Sequence, residues 1–214
     1  TRNEIWIVPT VGCVNQTAKI LAERAAKKYA GRVDGVQALI HNAGCSQLGD
    51  DMLMTQKLLK GLINNPNAGA VLVVSLGCEN NCLEYFKPVL GDVNPARVKF
   101  LVTQDHKDEY EEGMKLLDEL AEYAGSFKRQ KVSAGLLQIG VKCGSSDAFS
   151  GISANPLCGR ITNHVVKCGG KAILTEVSEM FGAETRLMDR AVSEEVFQDV
   201  VELINNFKEY FMRY

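Results

Sequence analysis

The sequence predicts an α/β fold in which an open, mostly parallel β-sheet is flanked by helices on both faces. Short apolar runs rich in Val, Ile and Leu alternate with amphipathic helical patterns along all 214 residues. Most of the apolar runs end in a turn that contains glycine. The chain contains no low-complexity run and no internal repeat. We therefore expect a single α/β domain over residues 1–214, with Rossmann-like layering.

Six apolar runs are the candidate strands. Continuous apolar runs of this kind are typical of parallel strands that are covered on both faces. The runs occupy residues 4–9, 35–40, 69–76, 97–103, 135–141 and 171–175.

Helical patterns separate these strands. The segments after Thr17 and after Asp51, and residues 108–124, repeat apolar residues at three- and four-residue steps. This spacing is typical of amphipathic helices that bury one face. The last helix is expected to begin at Ser193, because Ser is a favourable N-cap and two glutamates follow in the first turn.

Composition and charge narrow the function classes. A net charge of −2 gives no basic surface for nucleic acid or anionic membranes. No apolar stretch approaches the roughly 18 residues that a membrane span needs. The seven cysteines include no CxxC pair, and their odd number argues against a complete disulfide framework. We therefore expect a cytoplasmic protein whose cysteines are free thiols. Because it begins at Thr1 without methionine, we also expect a piece of a longer protein.

Residues with useful chemistry follow five of the strands. In a parallel sheet the turns after the strands open at one edge, so these residues are expected to converge there. They are Cys13, His41, Cys45, Cys78, Glu79, Cys143, Asp147, Glu176 and Glu179.

Each of these residue types has an ordinary structural alternative. Cysteine is often a small core residue, and this is expected for Cys82, Cys158 and Cys168 on helical segments. The four cysteines in glycine-bearing turns suit a ligand site, and a structural zinc held by them is the competing interpretation. His41 could ligate a metal or shuttle a proton, or it could simply be hydrogen-bonded in a loop.

Carboxylates and a Gly-Ser segment complete the pattern. Glu176 and Glu179 have helical i, i+3 spacing, so they could bind a cation, act as acid and base, or favour a helix dipole. Residues 141–156 contain a Gly-Ser turn of the kind that presents N–H groups and hydroxyls to anions. Neither a Walker loop nor a GxGxxG motif is present. Small carboxylate or hydroxyl ligands therefore fit better than nucleotides.

The motifs IVPTVGCVN, HNAGC, SLGCE, KCGSSDAFSGISANP and LTEVSEMFGAE occur in this order. Together they resemble the altronate/galactarate dehydratase family, from Thr1 to about Ala191. The resemblance implies an enzyme that dehydrates a sugar acid to a 2-keto-3-deoxy acid and requires ferrous iron. A related branch eliminates sulfite from sulfolactate. The chain departs from the family pattern at KCGSSD, where KCGGSD is expected, and at the insertion Asn80-Asn81-Cys82.

The resemblance also implies a middle portion of a longer enzyme, which we expect to be inactive in isolation. The residues and the resemblance together predict a metal-dependent hydro-lyase. Two alternatives stay open, which are C–S elimination of the sulfolactate type and a non-catalytic, zinc-stabilised binding domain. Iron is favoured as Fe²⁺, with a cysteine-held Fe–S cluster or another divalent metal as the other options. The expected partners are a small anionic sugar acid and further copies of the chain in a homo-oligomer, but neither nucleic acid nor membrane.

The residues assigned to this reaction fall into three groups. Those expected to be catalytic are His41, Glu79 and Asp147. Those expected to bind substrate are Asn15, Lys142, Ser145, Ser146, Asn155 and Arg160. Those expected to bind the metal are Cys45, Cys78, Cys143, Glu176 and Glu179.

Overall fold

The computed structural model describes residues 2–145 and 147–214. The chain divides into two compact units, Thr1–Arg129 (unit 1) and Gln130–Tyr214 (unit 2), where the sequence analysis treated residues 1–214 as one domain. In the described part of the chain, no helix is both long enough and apolar enough to cross a membrane.

Unit 1 is built on a four-stranded sheet in the order β2-β1-β3-β4, and all its neighbouring strands are parallel. The strands are β1 (Glu4–Pro9), β2 (Gly35–Ala38), β3 (Ala68–Ser75) and β4 (Val98–Val102). The two central strands, β1 and β3, are almost wholly buried. Their uninterrupted apolar sequences match this position, because a central parallel strand is covered on both faces.

Helices cover both faces of this sheet. They are α1 (Asn15–Lys28), α2 (Gly49–Ile63), α3 (Leu83–Leu90) and α4 (Glu109–Gly125). Ile5 and Ile7 of β1 pack in one core cluster with residues of α1 and α4. Trp6 and Val8 pack in the other cluster, with residues of α2 and α3. This alternation along β1 follows from the two-residue period of a strand. The predicted α/β class, with a parallel sheet between helical layers, is confirmed.

Unit 2 contains a smaller parallel pair, β5 (Gln138–Val141) and β6 (Lys171–Leu174). The helix α5 (Ala154–Lys167) connects them, and the short helix α6 (Thr185–Met188) and the long helix α7 (Glu194–Arg213) follow. The predicted start of the last helix is confirmed, since the Ser193 side chain accepts a hydrogen bond from Val196 N. The six expected strands therefore form two sheets, because β5 and β6 pair only with each other among the described strands.

Candidate functional site

The turns that follow β1, β2 and β3 are hydrogen-bonded to one another at the carboxyl edge of the sheet in unit 1. Gly12 N donates to Ala43 O at 2.8 Å, which joins the Cys13 turn to the turn that contains His41 and Cys45. Asn80 N donates to Cys45 O at 2.9 Å, which joins that turn to the one after β3. The thiols of Cys13, Cys45 and Cys78 are exposed. Unit 1 thus presents three thiol-bearing turns along one edge.

Glu79 lies beneath these turns and is only 3% exposed. Its Oε1 accepts hydrogen bonds from Ser75 Oγ at 2.6 Å, from Thr10 Oγ1 at 2.5 Å and from Leu76 N at 3.1 Å. Its Oε2 accepts one from Gly77 N at 2.7 Å. Burial raises the pKa of this carboxyl, but the hydrogen bonds from Ser75, Thr10 and the backbone outweigh it, so the pKa lies below the ordinary glutamate value. Glu79 is an ionised group that fixes the conformation of the turn before Cys78.

Further buried polar side chains extend this network into the unit. Asn81 Nδ2 donates to Thr10 O at 3.1 Å, and Gln56 Nε2 of α2 donates to Asn81 Oδ1 at 3.0 Å. Both amides are at most 3% exposed. Because a buried polar network is stabilising only when its members are satisfied, these contacts give the edge of the sheet one defined arrangement.

His41 has both ring nitrogens engaged by the backbone. Nε2 lies 2.9 Å from Pro9 O, and Nδ1 accepts from Ala43 N at 3.1 Å. An imidazole that accepts at Nδ1 and donates at Nε2 is the neutral form. Asn15 Nδ2 donates to His41 O at 2.8 Å, and its Oδ1 is buried without a partner among the described residues. Proton transfer by His41 would first have to break one of its two ring contacts.

Unit 2 contains a cavity of about 750 Å³ beside α5, β5 and β6. Five of the residues predicted from the sequence line it: Lys142, Cys143, Asn155, Glu176 and Glu179. Arg190, which was not predicted, lines it as well. The rest of its wall is largely apolar. Concave sites that combine an apolar wall with a few polar groups are the usual form of small-molecule sites.

Glu176 has an unusual backbone at this cavity. It follows β6 in the left-handed region, with φ 65° and ψ 66°, and is the one non-glycine residue with positive φ in the described part of the chain. Such a conformation costs on the order of 1–3 kcal/mol and is common at functional sites. Its Oε2 accepts from Cys143 N at 2.7 Å, and its Oε1 lies 3.6 Å from Lys142 Nζ. The turns after β5 and β6 are thereby joined through one carboxylate.

The remaining predicted residues lie elsewhere. Asp147 Oδ1 accepts from Phe149 N at 2.7 Å and from Ser150 N at 2.9 Å, so this carboxylate stabilises its own turn. Ser145 is exposed, and Ser146 lies outside the described residues. Arg160 lines a separate, more open cavity of about 440 Å³ together with His164 and Lys167. The assignment of Asp147 to catalysis and of these residues to substrate binding stays a prediction.

The predicted metal ligands are divided between the two units. Cys45 and Cys78 belong to unit 1, whereas Cys143, Glu176 and Glu179 belong to unit 2. Within residues 2–145 and 147–214, no group of three His, Cys, Asp or Glu side chains is arranged to hold a metal ion. Within the described residues of either unit, the five predicted ligands thus form no metal site of their own, and the iron requirement stays a prediction of the resemblance.

Sequence reasoning missed two residues at the cavity of unit 2. Cys158 and Cys168 were expected in the core, but both are exposed, and Cys158 lines the cavity. The expectation for Cys158 is wrong because Asn155, Cys158 and Thr162 share one face of α5, at steps of three and four residues. The three-residue spacing between Asn155 and Cys158 could have indicated from the sequence that both side chains face the same site. Arg190 follows α6 and had no such signal.

Comparison with known families matches both units. Residues 1–125 match the second domain of the D-galactarate dehydratase/altronate hydrolase family, and residues 134–214 match the C-terminal domain of D-galactarate/altronate dehydratases. The chain belongs to this dehydratase family. The predicted resemblance is therefore confirmed, and the boundary between the two matches coincides with the division into two units.

Individual relatives agree with the family match. The chain is 53% identical to altronate dehydratase of Bacillus subtilis over 100% of its own length and 43% of that protein. It is 46% identical to altronate dehydratase of Escherichia coli over 99% of its length and 43% of that protein. It is 28% identical to (2R)-sulfolactate sulfo-lyase subunit beta of Chromohalobacter salexigens over 91% of its length and 48% of that protein. The chain thus spans less than half the length of these relatives.

Proposed function

We propose that the protein containing this chain is a hydro-lyase that removes water from a sugar acid of the altronate or galactarate type, giving a 2-keto-3-deoxy acid. The cavity of unit 2 is the proposed substrate site. The observation that carries this proposal is Glu176, which is held in a left-handed backbone beside Lys142 at the cavity. The names of the altronate dehydratase relatives support the reaction class.

The reaction needs one base and one acid. A base removes the proton from the carbon next to the carboxylate, and the hydroxyl group on the following carbon leaves with a proton as water. The enol that remains becomes the 2-keto-3-deoxy acid when its C2 hydroxyl loses a proton and its C3 takes one up. Substrate therefore loses one hydrogen and one hydroxyl group in total.

Residues at the cavity suit these steps. Glu176 is the proposed base, because its carboxylate lines the cavity and is oriented by Cys143 N. The ammonium group of Lys142, 3.6 Å from Glu176 Oε1, would stabilise the negative charge of the enolate. Glu179 is the second carboxyl group at the cavity and the candidate for protonating the departing hydroxyl. Asn155 offers an amide to substrate hydroxyls.

Iron, a cytoplasmic location and homo-oligomeric assembly remain proposals drawn from the sequence. Metal analysis after anaerobic purification tests the iron requirement. It also tests the competing interpretation of a zinc-stabilised binding domain.

The test of the proposed reaction is a dehydration assay on the full-length protein that contains this chain, with altronate and galactarate as substrates. We expect turnover by the wild type and a loss of at least about 100-fold in kcat for Glu176→Gln, the usual scale of an acid–base contribution. The matched control is Glu202→Gln on α7, an exposed residue. Normal turnover by Glu176→Gln would contradict the assignment. Sulfite release from (2R)-sulfolactate in the same assay would favour the alternative C–S elimination.

A further inference from the structure

The charged side chains at the cavity of unit 2 nearly cancel. Two carboxylates, Glu176 and Glu179, and two cations, Lys142 and Arg190, line it. An anionic substrate is attracted to such a site only where a cation is not already neutralised by a protein carboxylate. The pairing of the two cations therefore decides where a substrate carboxylate can bind.

Lys142 is already engaged. Its Nζ donates to Cys143 O at 2.7 Å and lies 3.6 Å from Glu176 Oε1. An ammonium group is a point charge, so its remaining donors do not offer the fixed planar pair of N–H groups that matches a carboxylate. Lys142 suits the reacting centre beside Glu176 better than a distant substrate group.

Arg190 differs from Lys142 in this respect. Among the described residues, its guanidinium has neither an ion pair nor a side-chain hydrogen bond, although it lines the same cavity. A guanidinium carries five N–H donors in a fixed planar arrangement that matches a carboxylate through two parallel hydrogen bonds. Its planar set of donors, together with the lack of an ion pair to another described residue, suits a carboxylate ligand.

The charge balance makes Arg190 decisive for anion binding. If Arg190 were neutral, the two carboxylates would outnumber Lys142 and leave the cavity with one net negative charge. The apolar side chains of Val141, Val166 and Leu174 also line the cavity. They give the cavity a partly apolar wall beside its charged groups.

We infer that Arg190 binds the carboxylate of the sugar acid through a bidentate ion pair, while Lys142 and Glu176 face the carbon atoms that react. This inference rests on the proposed function and adds to it the group that anchors the substrate. The substrate-binding role predicted for Arg160 would thus belong to Arg190, since Arg160 lines the neighbouring cavity with His164 and not the cavity that contains Glu176.

The test compares arginine variants of the full-length protein in steady-state dehydration of altronate. We expect Arg190→Gln to raise KM by about tenfold to a hundredfold, the range of a lost charge-assisted hydrogen-bond pair, with a smaller change in kcat. Arg190→Lys keeps the charge but not the planar fork, so its KM should lie between those of the wild type and Arg190→Gln. The matched control is Arg186→Gln on α6, four residues away and exposed, with an unchanged KM.

Circular dichroism melting shows whether each variant is folded, and Arg190→Lys replaces Arg190→Gln if the latter is not. Equal KM values for Arg190 and Arg186 variants, or a fall in kcat alone, would overturn the role of Arg190. That outcome would leave the proposed function intact as long as the wild type turns over altronate and Glu176→Gln does not. If the wild type neither binds nor dehydrates a sugar acid, the proposed function fails, and this inference fails with it.

Discussion

Replacing Glu79 by glutamine tests the buried network of unit 1. Glu79 Oε2 accepts from Gly77 N at 2.7 Å, and Oε1 accepts from Leu76 N at 3.1 Å and from two hydroxyl groups. A glutamine amide has one oxygen and one NH₂ group. In either orientation the NH₂ group would face a backbone N–H that needs an acceptor, whereas the hydroxyl groups of Ser75 and Thr10 can rotate to adapt.

The expected loss follows from this mismatch. Leaving one buried N–H without an acceptor costs about 1–3 kcal/mol, and the remaining hydrogen bonds lose the strength that an ionised acceptor gives them. We therefore expect Glu79→Gln to lower the free energy of unfolding of unit 1 by about 2–4 kcal/mol at neutral pH.

Urea unfolding followed by tryptophan fluorescence measures this loss. Trp6 is the single tryptophan of the chain, lies in β1 and is 9% exposed, so its signal reports on unit 1. The control is Glu122→Gln, an exposed glutamate of α4, which should stay within about 0.5 kcal/mol of the wild type. A urea midpoint for Glu79→Gln equal to that of the control would refute the account of the network.

Three further predictions concern the pKa of Glu79, the turn at Gly77 and the metal role predicted for Cys78. Because the pKa of Glu79 is lowered in the folded state, its ionised carboxylate stabilises the fold above the ordinary glutamate pKa of 4.5, and this stabilisation is lost as the pH falls through the folded pKa. Glu79→Gln lacks this titration, so its urea midpoint should fall less than that of the wild type between pH 7 and this acid range. Gly77→Ala, at φ 121° with an added Cβ 3.0 Å from Gln104, should lower the urea midpoint by the equivalent of about 1–3 kcal/mol, whereas Gly61→Ala, in α2 with open space around its Cβ, should raise it slightly. Cys78→Ala should lower turnover and bound iron of the full-length protein far more than Cys168→Ala; retention of both by Cys78→Ala would contradict the metal role predicted from the sequence.

The sheet of unit 1 could be predicted because its signals are local. The apolar sequences of β1 and β3, and the cap at Ser193, follow from patterns of a few residues. The division into two units was harder to predict, since strand pairing depends on contacts between distant residues. The exposed, basic stretch 126–133 between α4 and β5 was the available signal for it.

The polar contacts of the site also depend on residues that are distant in the sequence. The sequence pattern identified Glu79 and His41 as candidate residues, but not how their polar atoms are used. The donors to Glu79 include Thr10, which is 69 residues away, and the acceptor for His41 Nε2 is Pro9 O on another strand. Long-range partners of this kind leave no local spacing. The left-handed backbone of Glu176 was equally unforeseen, because glycine and asparagine are the residues that usually mark it.

A titration of the ¹⁵N-labelled protein with altronate locates the proposed sugar-acid site. We expect the shifts of backbone amide signals in the NMR spectrum to concentrate at the cavity of unit 2, around Lys142, Asn155, Glu176 and Arg190. Shifts confined to the turns of Cys13 or Cys45 in unit 1, with unit 2 unchanged, would contradict this location.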